Sequence, residues 1–196
     1  MKRFFQTIRN IFSIEDLRVR ILNTIGFLII FRLGSYIVIP GIDPLHPSLS
    51  GGSSEGILGL LNTFLGGSFY RASIFALGIM PYISASIIVQ LLTFAVPYFQ
   101  KLQKEGDSGR NRLNQITRVL TIVITGFQGY AYIKGTTDPG AILTPGFFFY
   151  FSAVVILIAG TMFCMWLGER ITDKGIGNGI SVLIMIGIIS RLPAAL

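Results

Sequence analysis

FFFYFSAVVILIAGTMFCMWL, residues 147–167, decides the fold. The run holds no acidic, basic or histidine side chain. Crossing the hydrocarbon of a bilayer as a helix takes about 20 predominantly apolar residues, and this run meets that length. A soluble helix keeps one polar face, and this one has none. Working outward, residues 176–192, 73–96 and 21–39 are apolar at or near the same length, and residues 117–133 form a shorter block containing Gln128. Backbone groups cannot stay unpaired in lipid, so each block is expected to be helical. The expected fold is all-α: a polytopic membrane bundle of five spanning helices.

The charges lie between these blocks. Residues 1–20 carry Lys2, Arg3, Arg9, Arg18 and Arg20, and residues 97–118 carry Lys101, Lys104, Arg110, Arg112 and Arg118. Arg170 and Lys174 follow Trp166. The alternate gaps hold little positive charge: Arg71, Lys134 and, at the far end, Arg191. The positive-inside rule places the amino terminus in the cytoplasm, and five spans then bring Leu196 to the outer side. Residues 97–116 become a cytoplasmic loop. In residues 1–20, Phe4, Phe5, Ile8 and Phe12 share one helical face, which suits a short amphipathic helix on the membrane surface. No cleavable leader is expected, because the first apolar block lacks a small-residue cleavage site and continues at spanning length.

Composition agrees. Of 196 residues, 52% are hydrophobic and 13% charged, against roughly 25% charged in soluble domains. Mean hydropathy is +0.68. The formal charge of +7 invites a nucleic-acid reading, but topology alone accounts for where the charges fall. The single cysteine, Cys164, has no partner for a disulfide or a thiolate metal site, and the single histidine, His46, reads as a solvated loop residue. One histidine leaves no Ser-His-Asp set and no zinc-protease motif. Neither KEGDSGR (104–110) nor GIGNG (175–179) has the spacing of a phosphate-binding loop. The second reads as a flexible turn entering a helix, with Asn178 tolerating turn geometry. No cofactor, metal site or catalytic group is expected.

Three features admit more than one reading. ILGLLNTFLGG (57–67) is too short to span; it follows Gly51, Gly52, Ser53 and Ser54 and ends on a glycine pair. It is either a re-entrant, hinged helix or a loop on the outer surface. The second block carries Pro81 well inside it, expected to kink the helix, with Ser84, Ser86 and Gln90 after it. Ile79, Ile83 and Ile87 recur at i, i+4 and i+8, which fits ordinary helix packing or a hydrophobic constriction. Arg32 lies inside the first block, where snorkelling or a structural hydrogen bond competes with a transport role.

Four ordered stretches carry a family resemblance: FRLGSYIVIPGID (31–43), RASIFALGIMPYISASIIVQLL (71–92), KEGDSGR (104–110) and GTMFCMWLGERITDKGIGNGIS (160–181). Together they resemble the SecY-type protein-translocation channels. The resemblance implies a channel of roughly ten helices in two pseudo-symmetric halves, of which this chain is similar to the first. It implies that Ile79, Ile83 and Ile184 belong to a pore ring. It implies that residues 57–67 form a re-entrant plug helix, with Ile57, Leu58, Leu60, Leu61, Asn62, Phe64 and Leu65 as its body. It also implies that Ser84 and Gln128 border a lateral gate, and that Lys104, Arg110 and Arg112 sit on a cytoplasmic partner-facing loop. The implied partners are SecE and SecG subunits, a SecA motor or the ribosome, the translocating polypeptide with its signal sequence, the lipid bilayer and the missing second half. The implied location is the bacterial inner membrane. The competing reading is half of a small-solute secondary transporter, which the lack of Asp, Glu or His near the middles of the spans disfavours.

Overall fold

The computed structural model describes residues 14–46, 56–137 and 139–190. Most of the expected surface segment 1–20, the stretch Gly51 to Ser54, and the chain beyond Ser190 lie outside the described residues. Among the described residues seven α-helices follow one another: α1 Glu15–Gly34, α2 Ile57–Phe64, α3 Met80–Ala95, α4 Pro97–Lys104, α5 Asp107–Thr136, α6 Phe147–Lys174 and α7 Gly179–Ile189. A single 3-10 turn, Pro139–Ala141, precedes α6. Among the described residues the only β pairing is two isolated bridges, Val38 with Ser73 and Ile42 with Ile142.

Helix α5 packs on α3 and on α6, α6 packs on α7 and α1, and α2 rests on α7. On its own, α6 is long and apolar enough to cross a membrane; α3 and α4 pass that test only as a pair, bent by 100°. The bend follows from Val96–Pro97. Val96 takes φ −113°, ψ 121°, the extended geometry that a following proline imposes, and Pro97 opens α4 at its first position. The apolar side chains are not confined to the interior. Phe94, Phe127, Phe147 and Phe148 are between 77% and 87% exposed, so these helices are apolar on their outer faces too. That is the pattern of helices solvated by lipid.

Several boundaries differ from those expected. The second block becomes helical only at Met80; Pro81 therefore lies in the first turn of α3, where its missing N–H costs nothing, and produces no interior kink. Residues 73–79 are apolar because they are wound into the core: Ala76 is fully buried and Leu77 nearly so. Their backbone is satisfied by turns and by the segment after α1, through Ile74 N–H to the Ile37 carbonyl and Ile39 N–H to the Ala72 carbonyl, both 2.9 Å. The expected loop 97–116 is helical except at Glu105 and Gly106. Helix α6 continues through Arg170 to Lys174, so the turn before α7 is only residues 175–178. Asn178 is the N-cap of α7 rather than a turn residue: it is extended, and its Oδ1 accepts the N–H groups of Ile180 at 3.1 Å and Ser181 at 3.3 Å.

Candidate functional site

Two buried clusters meet around the start of α3. One gathers Leu65, Phe69, Leu77, Tyr132, Phe149 and Leu157. The other gathers Phe31, Phe75, Ile79, Cys164, Leu167 and Leu183. Phe75 centres the second, stacked on Phe31 and on Phe163 with ring centroids 5.8 Å apart in each case. Gly34 makes room for it, since a Cβ there would run into the Phe75 ring.

A cavity of about 230 Å³ opens where these clusters adjoin. Its wall comes from Phe31 of α1, from Phe64 and Leu65 at the end of α2, from Gly78, Ile79, Met80 and Ile83, and from Leu183 and Ile184 of α7. Every side chain in that wall is apolar. Ile184, distant in sequence, thus shares one cavity with Ile79 and Ile83. Ile87 is 51% exposed and stays outside it, so the i, i+4, i+8 stripe does not act as a unit. No side chain in the wall of such a space offers a hydrogen bond to a solute or an ion.

The end of helix α2 forms part of the cavity wall. Ile57 and Leu60 are exposed, Leu65 and Asn62 are buried, and Phe64 and Leu65 reach the cavity. Leu61 and Leu65 border a second space of about 320 Å³ with Phe69, Leu77, Met80, Gln128 and Tyr132. The side chain of Leu58 lies outside the described residues. The turn after α2 is pinned on several sides. Asn62 Oδ1 accepts the Tyr70 N–H at 3.2 Å. The Tyr132 hydroxyl donates to the Phe69 carbonyl. Arg32 Nη1 donates to the Gly66 carbonyl at 3.1 Å. Of the readings of Arg32, the structural hydrogen bond is present.

The remaining expected residues separate. Ser84 returns its hydroxyl to its own helix, donating to the Met80 carbonyl at 3.2 Å, whereas Gln128 borders the second space on α5. Lys104, Arg110 and Arg112 are exposed and lie on helices α4 and α5 rather than on a loop. Arg110 joins Ser86, Gln90, Thr93, Gln103 and Asn114 around a polar cavity of about 460 Å³ between α3 and α5, a feature the apolar-block reading missed. Also missed was the threonine stripe of α5. Thr117, Thr121 and Thr125 are buried at i, i+4 and i+8, a spacing that could have flagged them as a packing face.

Among the described residues no group of three His, Cys, Asp or Glu side chains could hold a metal ion. Cys164 is fully buried.

The sequence model of the SecY family matches residues 73–196. The protein translocase subunit SecY of Escherichia coli strain K12 is 51% identical over 189 residues, covering 94% of this chain and 43% of that protein. The Rickettsia typhi subunit of the same name is 49% identical over 191 residues, covering 94% and 44%. The chain thus spans less than half the length of these curated relatives. Among solved structures, Sec61 in the canine ribosome-channel complex from the endoplasmic reticulum matches with a TM-score of 0.62 at 16% identity, covering 89% of this chain and 36% of that one. A structure described as a protein-conducting channel matches with the same score and coverage. These two establish likeness of fold, while the family match and the identity to the bacterial subunits establish kinship: the chain belongs to the SecY family.

Proposed function

We propose that this chain forms the amino-terminal half of a polypeptide-conducting channel in the bacterial inner membrane. Its five spans are α1, α3, α5, α6 and α7, and its amino terminus is cytoplasmic. The observation that carries the reading is the apolar cavity shared by Ile79, Ile83 and Ile184 and lined also by Phe64 and Leu65 at the end of α2. An apolar ring grips a passing chain of any sequence because it asks for no particular hydrogen bond, and it excludes ions by dewetting when empty. Helix α2, with the rest of residues 57–67, acts as the plug that shuts the outer side. Ser84 and Gln128 border the gate through which apolar segments leave for lipid. The complementary half, SecE- and SecG-type subunits, and a motor or ribosome on the cytoplasmic face around Lys104, Arg110 and Arg112 complete the machine. With no nucleotide-binding motif in this chain, the partner supplies the energy.

The test is site-specific photocrosslinking from position 83 in the full-length channel while a secretory polypeptide is stalled in transit. An adduct to the translocating polypeptide is expected. Capture of only lipid or a neighbouring helix would remove Ile83 from the conduction path.

A further inference from the structure

We propose that Arg32 is the clasp that holds the plug shut, acting on the carboxy-terminal end of helix α2 in concert with Gly187. The inference rests on residues 57–67 being the plug, and the experiment below separates the two.

Helix α2 ends in a Schellman motif. The Gly67 N–H returns to the Asn62 carbonyl at 2.8 Å and the Gly66 N–H to the Thr63 carbonyl at 3.1 Å, with Gly66 at φ +64°. That left-handed turn leaves the Gly66 carbonyl free to face α1, where Arg32 Nη1 meets it. The carboxy-terminal end of a helix carries partial negative charge, so a guanidinium is suited to this position. Arg32 has no carboxylate partner: among the described residues the ion pairs are Arg20–Asp16 and Arg118–Glu169. Its other anchor is Tyr36, whose hydroxyl lies 3.4 Å from Nη2 and whose ring lies under the guanidinium. Tyr36 is one turn on along the chain, so the side chain is steadied from its own neighbourhood and extended toward the plug.

Helix α7 closes the other side. A Cβ at Gly187 would run into the Phe64 carbonyl, and one at Gly66 would lie 3.0 Å from both Arg32 Nη1 and Ser190 Oγ. The last turn of the plug is therefore seated between Arg32 and a glycine that permits backbone contact, while its outer face at Ile57 and Leu60 is exposed. Besides the Asn62 bond to the Tyr70 N–H and the burial of Leu65, one charge-assisted hydrogen bond and one glycine contact hold the end of the plug.

The experiment uses a full-length channel carrying this chain in membrane vesicles, with Cys164→Ser as background and Leu65→Cys, buried against the cavity at the end of the plug, as the probe. The readout is the rate of reaction with a membrane-impermeant maleimide from the outer side. Losing a hydrogen bond to a charged group shifts such an equilibrium on the order of ten- to a hundredfold, so Arg32→Gln is expected to raise the resting rate by at least about tenfold. Arg32→Lys is expected to recover part of that change, Gly187→Ala to raise the rate through its added methyl, and Arg71→Gln to leave it unchanged. Arg71 also stacks on Tyr36, so it controls for disturbance of that ring. A resting rate unaltered by both Arg32→Gln and Gly187→Ala would overturn the clasp, provided that a translocating polypeptide still changes the rate in the unmodified channel. If the polypeptide fails to change it there, the plug reading itself falls. Should Arg32→Gln lower the yield of folded protein, the Gly187→Ala rate decides.

Discussion

Helix α3 borders two cavities of opposite character. At its start, Ile79, Met80 and Ile83 face a space with no polar side chain in its wall. Farther along, Ser86, Gln90 and Thr93 face a larger space shared with Gln103, Arg110 and Asn114. The backbone is the same continuous helix; the side chains alone change from dry to wet within about one turn. On the reading proposed above, a narrow apolar zone next to a polar one confines the seal to a single layer. On that same channel reading, a polypeptide in transit crosses a short hydrophobic neck, with a polar mouth beside it.

The comparison is most severely tested by wetting the neck. Ile83→Asp in the full-length channel places a charge where no partner exists, and an unpaired charge in such a place costs several kcal/mol unless water enters with it. The expected outcome is a large ion leak across proteoliposomes, the biggest effect among these variants. Next is Gly179→Val, because a Cβ at this position meets the Gly168 carbonyl where α7 crosses α6. Overpacking of this kind costs about 1–3 kcal/mol, expected as a lowered unfolding temperature in detergent together with a leak, since α7 carries Ile184 into the neck. Asn178→Ala removes the two N-cap hydrogen bonds of the same helix and should cost about 1 kcal/mol in the same assay, with a smaller leak. The smallest effect belongs to the wet side: Gln90→Leu should change stability by no more than about 0.5 kcal/mol and leave conductance in the resting channel as it was. A leak from Gln90→Leu equal to that from Ile83→Asp would erase the distinction between neck and mouth.

The sequence made the helices legible where composition and length agree. Residues 147–167 could be nothing but a long apolar helix, and the glycine pair after Phe64 marked the end of α2. It misled where apolar character arose from another cause. Residues 73–79 are as hydrophobic as a span because they are packed as turns inside the core, and hydropathy does not separate a buried turn from a buried helix. Pro81 reads as an interior breaker from the apolar run alone, because the run begins before the helix does. Charge density concealed the helices at 97–116, since a polar surface helix and a polar loop share a composition. The meeting of Ile184 with Ile79 and Ile83 depends on how α7 crosses α6, which no local spacing encodes; family resemblance supplied it. Arg32 was recognisable as a structural hydrogen-bond donor, but its acceptor, a backbone carbonyl 34 residues along the chain, carries no side-chain signature.

The threonines of α5 bear on motion. Thr117, Thr121 and Thr125 each donate to the carbonyl four residues earlier, at 2.9, 2.7 and 2.6 Å. Their donor capacity is spent within one helix. The buried flank of α5 therefore meets its neighbours through methyl groups and glycine, with Gly129 against Leu157. Along the threonine stretch, displacement exchanges one set of weak dispersion contacts for another, while Arg118 with Glu169 and the Tyr132 hydroxyl with the Phe69 carbonyl tie the helix at the two ends of that stretch.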